Sequence, residues 1–310
     1  MLISDIPHAA LAQRLRQEGV HIDTGAFTTH LRIGLPHLVE EFAQMYAQYP
    51  VEDPPGIDDA RLRIDAPSFI SRYWAPSAAA WMDGEKFFDP VPAKRAYTVL
   101  ESGLNWAVAT SLLSPMLVHA AVVERANRAA ILPAPTGSGK STLSAALSWR
   151  GWRLLSDEMT VFSFEDGTIL PNPRPVSLKN KAIEIIAAFE PRAQFSPIYT
   201  GTAKGDVAYM RPPADAVARF KESVLPGLVV APQYHEGMRA TVKRMEKMEG
   251  LRWLIDNAVN YSSMLRMGFD TLTGIAERCE FYILTYSDLE EAVDVMNRLL
   301  EESLSTAASP

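Results

Sequence analysis

Apolar and polar positions follow two rhythms along the chain, and the change between them divides it. Residues 21–33 (HIDTGAFTTHLRI) are rich in Thr and β-branched side chains and predict one or two strands. Over 36–49 the apolar positions recur at helical spacing behind Pro36, which predicts an amphipathic helix. A proline-containing polar turn and a short strand over 61–65 follow, then an aromatic, loop-rich stretch around Trp74, Trp81, Phe87 and Phe88. Residues 93–113 predict a long, mostly apolar helix. From 116 the rhythm becomes strand (116–125), turn, strand (128–134), glycine-rich loop and helix, with a stop at Gly151. A strand ending in acids and a further strand lie within 152–164. This β-loop-α-β order marks a nucleotide-binding α/β core. Helices over 180–189, 213–219, 249–264 and 289–302 and strands over 225–231 and 278–286 complete the pattern, with a flexible polar stretch at 199–206. The expected organisation is an N-terminal α+β domain (1–94), an α/β catalytic domain (95–302) and a disordered tail (303–310), with no internal repeat.

Composition narrows the options. The 310 residues carry 30 basic and 37 acidic side chains, a net charge of −7. With 47% hydrophobic and 22% charged residues the chain is an ordinary globular one, which excludes collagen, coiled coil and wholesale disorder. The charge and the lack of a Lys/Arg cluster argue against a nucleic-acid partner. The single cysteine, Cys279, excludes an intramolecular disulfide and a multi-Cys zinc site, and fits a reducing cytoplasm. The first residues lack the pattern of a signal peptide, and no run reaches the length of a membrane span. Proline (22) exceeds glycine (17), and much of it brackets the segments that follow: Pro133 and Pro135, Pro171, Pro173 and Pro175, Pro212 and Pro213.

Residues 134–141 read A-P-T-G-S-G-K-S, a relaxed Walker A pattern with Ala in place of the first Gly. Small residues let backbone N–H groups curl around phosphate oxygens, and the helix that follows adds its positive end. The candidate phosphate-binding residues are Pro135, Thr136, Gly137, Ser138, Gly139, Lys140, Ser141 and Thr142. Lys140 is expected to reach the β- and γ-phosphates of ATP, and Ser141 to offer its hydroxyl to Mg²⁺.

Asp157 and Glu158 end the strand that returns from the loop helix. One acid there can hold Mg²⁺ and the other can take a proton from an attacking hydroxyl or water. On the general pattern Asp157 sits on Mg²⁺ and Glu158 is the base. Arg174 and Lys179, in a proline-stiffened segment, are candidate cations for the transferring group. Lys204 is placed to cap the site from a mobile loop, and Arg211 is a similar candidate. His235 and Glu236 lack the second histidine of a zinc helix and read as a strand-end pair. His119 by itself, in the apolar run LVHAAVV, reads as a core residue.

The order of features changes that weighting. His119-Ala-Ala-Val-Val, then PTGSGKST, then ALSWRGWRLLSDE resemble the bacterial HPr kinase/phosphorylase family. PRPVSLKN (173–180), MRPP (210–213) and NAVNYSSMLRMG (257–268) resemble its divergent branch, the HprK-related kinase A proteins. The resemblance covers roughly residues 95–302. It implies a P-loop kinase core of the HPr kinase/PEP carboxykinase type, ATP and Mg²⁺ at Lys140 and Ser141, Asp157 as general base, Glu158 as the metal-side acid, and His119 tuning the first acid. It also implies a homo-oligomer. The family's pair is Asp-Asp where this chain has Asp-Glu, and the glycine-rich signature of phosphorylase activity has no copy here.

The expected activity is ATP-dependent transfer to a hydroxyl, of a protein or peptide serine or of a small alcohol. A P-loop NTP hydrolase or nucleotide switch shares every phosphate-binding residue, and a non-catalytic ATP sensor would keep Lys140 and Ser141.

Overall fold

The computed structural model describes residues 1–51, 56–111, 115–135 and 137–307. Among them the chain forms a mixed α/β structure with ten α-helices and four sheets. The first sheet is built by β1 (Val20–Asp23), β2 (Thr28–Ile33), β3 (Ala60–Asp65), β4 (Ser77–Met82), β5 (Glu85–Lys86) and β6 (Val91–Pro92). In β3 the alternation Ala60, Leu62, Ile64 turns inward while Arg61 and Arg63 face out, so one face of the sheet is covered. Helices α1 (His8–Gln17), α2 (Pro36–Met45) and α4 (Ala96–Ser111) cover that core; the short α3 (Phe69–Tyr73) precedes β4. Pro36 opens α2 where its missing N–H costs nothing, and Leu38, Val39, Phe42 and Met45 form its buried stripe.

Two expectations change here. The aromatic stretch after Trp74 contains the hairpin β4–β5 rather than loop alone. The helix at 96–111 belongs to the N-terminal core through Ala96, Tyr97, Val99, Leu100 and Leu104, so packing divides the chain after this helix and not at residue 94. Even that division is incomplete. Tyr199, Val207, Tyr209 and Val217, from the later half, are buried in the same core.

The second body is organised by a six-stranded sheet in the order β10 (Arg153–Ser156), β8 (Ala120–Arg125), β9 (Arg128–Pro133), β16 (Pro226–Tyr234), β18 (Glu280–Tyr286), β17 (Thr241–Met245). β9, β16 and β18 run parallel and the outer pairings are antiparallel. Alternate residues of β8 and β9 enter different cores. Ala121, Val123, Ala130 and Leu132 meet α5 (Lys140–Ser148), α6 (Lys181–Phe189) and α10 (Leu289–Ala307) on one face. Ala120, Val122, Ala129 and Ile131 meet α8 (Lys247–Asp256) and α9 (Tyr261–Arg278) on the other. Covering on both faces explains why these strands read as apolar runs.

Two three-stranded sheets flank this layer. One holds β7 (Met116–Val118), β11 (Thr160–Phe162) and β12 (Ile169–Leu170). The other holds β13 (Val176–Lys179), β15 (Gly205–Met210) and β14 (Tyr199–Thr202), with α7 (Ala214–Ala218) after it. The strand expected over 116–125 is therefore two. The chain passes from β7 in one sheet to β8 in the other at His119, whose backbone N–H donates to the Asn257 carbonyl (2.8 Å). The polar stretch 199–206 is a hairpin, and the helix expected over 249–264 is broken at 257–260, where the turn is tied to β7. The closing helix continues to Ala307 where a disordered tail was expected from 303; residues 308–310 lie outside the described residues.

Candidate active site

β9 ends at Pro133 and delivers the loop to the N-terminus of α5. Gly137 (φ +91°) and Gly139 (φ +95°) adopt the left-handed backbone that L side chains avoid. A Cβ on Gly139 would also stand 2.4 Å from the Tyr286 hydroxyl. That hydroxyl donates to the Gly139 carbonyl (3.1 Å), and the Tyr234 N–H donates to the Ser138 carbonyl (3.0 Å). The loop is thus braced by the ends of two neighbouring strands. Its inner side, from Pro135, Gly137 and Gly139 to Lys140, Ser141 and Thr142, lines a cavity of about 610 Å³. Ser138 lies off that wall, with a buried hydroxyl that has no partner. Thr136 lies outside the described residues.

Lys140 begins α5 and is buried. Its Nζ donates to His119 Nε2 at 3.1 Å, so that nitrogen acts as acceptor when the ammonium is charged. Burial lowers the lysine pKa below its usual range, with Asp157 and Glu158 opposing. Burial, and then the Lys140 charge, likewise lowers the His119 pKa, which keeps the imidazole neutral near pH 7. His119 is therefore no core residue of a continuous strand. The switch between sheets brings its ring to the cavity wall.

The two acids differ. Asp157 is buried; Ser144 Oγ donates to its Oδ1 (3.0 Å) and the Ser177 N–H to its Oδ2 (3.2 Å). Burial raises its pKa, and the Lys140 charge only partly offsets this. For Glu158 burial pushes upward too, but Lys179, Lys140 and Lys204 outweigh it and hold the carboxyl below its usual range. Glu158 lines the large cavity; Asp157 lines instead a small polar pocket of about 30 Å³ behind it, and Glu158, Ser177 and Lys204 border both.

The four candidate cations separate. Lys179, ending β13, and Lys204, in the turn of the β14–β15 hairpin, line the cavity with Lys140. Lys204 is thus carried by a hairpin rather than a mobile loop. Arg174 is buried behind the acids, donating to Glu101 Oε2 (3.2 Å) and to Asn105 Oδ1, both on α4. It lines the small pocket and not the large cavity. Arg211 is away from both, donating to the Gln44 carbonyl (3.3 Å), because its strand runs toward the N-terminal body.

Sequence reading missed Tyr286 and Tyr234, Asn172, and the α4 residues Glu101, Ser102 and Asn105. None stands in a motif with the loop; only the position of Asn172 next to the Pro173-Arg174-Pro175 segment carried any signal.

A nucleotide with Mg²⁺ would have Lys140 and the Ser141 hydroxyl as its donors here. A Cβ at Gly137 would meet nothing within 4 Å, so the loop is open there, and Lys140 lines the cavity with its Nζ on His119. Also among the described residues, no group of three or more His, Cys, Asp or Glu side chains is arranged to hold a metal by itself. A cation here would need phosphate oxygens to complete its shell.

These features define a mixed α/β protein with a glycine loop, a buried lysine and Glu158 at one cavity and Asp157 at a small pocket beside it. No family model matches the chain, and no curated protein does. Among solved structures it is similar to the Hpr(Ser) kinase/phosphatase from Coxiella burnetii, at 13% identity and a TM-score of 0.25, over 60% of this chain and 98% of that one. Among the described residues no helix is long and apolar enough to cross a membrane.

Proposed function

We propose that this chain transfers the terminal phosphoryl group of ATP to a hydroxyl group. The observation that carries the reading is the place of Glu158, on the wall between the cavity of Lys140 and the small pocket of Asp157. In-line transfer needs a donor and an acceptor on opposite sides of the reacting centre, held by fixed charges. In this reading the loop N–H groups and Lys140 hold the phosphates, and Lys179 and Lys204 spread the developing charge. Mg²⁺ would be held by Ser141 and Glu158 and would neutralise phosphate oxygens. The acceptor oxygen bonds to the γ-phosphorus as the bond to the β,γ-bridging oxygen breaks. Its proton passes to a carboxylate, and ADP leaves.

Asp157 suits the proton better. Its burial raises its pKa and so its basicity, whereas the lysines keep Glu158 a weak base. The reverse assignment draws on Ser141, whose hydroxyl favours the ionised form of Asp157 and would bring that acid to the metal. Transfer from labelled ATP, followed across pH and Mg²⁺ concentration in Asp157→Asn and Glu158→Gln, separates them. An Asp157 base must be ionised, so activity should fall as pH drops through a limb above the usual carboxylate range. Asp157→Asn should lower turnover by about 10²–10⁴-fold at unchanged Mg²⁺ requirement. Unchanged transfer in folded Asp157→Asn removes the assignment; a raised Mg²⁺ requirement reverses the roles.

Water as acceptor is the second reading, since the small pocket has room for about two water-sized groups. Phosphate release without any added alcohol, as fast as transfer, would select it.

A further inference from the structure

The small pocket behind the acids has a wall that no motif announced. Glu101, Ser102 and Asn105 of α4 close it from the N-terminal body, opposite Asp157, Glu158 and Asn172. Asn172 is only 2% exposed, yet neither its amide nitrogen nor its amide oxygen has a partner within the protein. Buried polar groups are paired in nearly all cases, and an orphan facing a cavity marks a group that something else must satisfy. The backbone is not at fault, because the Asn172 N–H donates to the Leu155 carbonyl (2.7 Å). The side chain thus borders the pocket with neither its donor nor its acceptor paired.

Charge and size narrow what can meet it. Arg174 and Glu101 neutralise each other across the wall. Asp157 and Glu158 then outnumber Lys204 on the wall, which disfavours an anion. A volume of about 30 Å³ admits two water-sized groups and no ring. A group with one carbon and one hydroxyl fits, and a hydroxyl both donates and accepts, as the Asn172 amide does.

We infer that this pocket binds the hydroxymethyl arm (–CH₂OH) of the phosphoryl acceptor, with Asn172 as its hydrogen-bonding residue and α4 of the N-terminal body as its far wall. The inference rests on the phosphotransfer reading for the word acceptor, and on the cavity and the orphan amide for the binding site. It gives residues 96–111 a part in the site. The arm could belong to a free small alcohol or to a seryl peptide, and the chemistry at Asn172 is the same for both.

The test is a titration of the full-length protein, observing the Asn172 side-chain amide by ¹⁵N NMR. That resonance is identified by its loss in Asn172→Ala. The probes are L-serine, glycerol, ethanolamine and N-acetyl-seryl amide, against L-alanine and N-acetyl-alanyl amide as partners lacking the hydroxyl. Saturable movement with a hydroxyl probe and none with its partner supports the site, and the free or blocked serine arm tells which source fits. No movement with any probe, or equal movement with both of a pair, overturns it, as does a crystal structure in glycerol that shows only ordered water at Asn172. A structural asparagine would lower the unfolding midpoint when removed. Asn172→Ala should leave it and nucleotide affinity unchanged, while raising the acceptor KM at least tenfold. Lys140→Ala instead loses nucleotide binding and leaves the probe titration intact. Probe binding without transfer in the wild type would sink the kinase reading and keep the pocket.

Discussion

At the scale of single residues the site depends on Gly139 more than its neighbours. Its φ of +95° and its approach to Tyr286 are two separate demands, and alanine meets neither. Left-handed backbone at a non-glycine residue costs about 1–3 kcal/mol, and the contact with the hydroxyl adds to it. Gly139→Ala should therefore displace the loop: nucleotide binding measured by calorimetry should be lost in a protein whose circular dichroism is unchanged. Cys279 tests the core on the other side of the sheet. It is buried beneath α9, and burial pushes its thiol up to about 12. The native protein should not react with a thiol reagent at pH 8, and should react fully once unfolded.

At the scale of elements, strain is stored at helix starts and breaks. Asn180 (φ +53°) precedes α6, and its side chain accepts from the Asp206 N–H (3.1 Å), tying that helix to the hairpin that carries Lys204. Leu265 (φ +47°, ψ −123°) interrupts α9 with its side chain 74% exposed. It has little burial to lose and an unfavourable backbone to relieve. Leu265→Gly should stabilise the protein by about 1 kcal/mol, read as a higher denaturant midpoint with an unchanged slope. A lower midpoint would show that the exposed leucine is held by contacts and not merely strained. The hairpin and the break in the helix were both illegible in sequence. Short polar strands such as Tyr199–Thr202 have no apolar alternation, and the turn 257–260 is set by β7, through Leu117 N–H to Asn260 Oδ1 (3.0 Å).

At the scale of the molecule, the two bodies share a core and a buried ion pair. Glu101 accepts from Arg174 and from the Tyr46 hydroxyl (2.8 Å), and burial raises its pKa. Removing it leaves a buried guanidinium uncompensated. Glu101→Ala should cost about 3–5 kcal/mol in chemical denaturation, more than an ordinary surface change. A fragment beginning at residue 115 should fare worse, since it would expose Tyr199, Val207, Tyr209 and Val217 as well. Independent folding and nucleotide binding by that fragment would show the shared core to be dispensable.

By itself the sequence determined the features that depend on neighbours close in the chain: the loop and its lysine, the helix behind it, the acids that end β10, and the buried strands β8 and β9. Backbone propensity and side-chain periodicity act over a few residues, so these were readable. Tertiary structure alone decided which groups meet. Tyr286 braces Gly139 from 147 residues away, Arg174 is drawn from the phosphate side to Glu101 across 73, and Arg211 is turned toward Gln44 across 167. It also decided that His119 leaves its strand, that Asp157 and Glu158 face different compartments, and that Asn172 is left with nothing to bond. Such pairings are set by how sheets and helices stack, and no local pattern of residues encodes them.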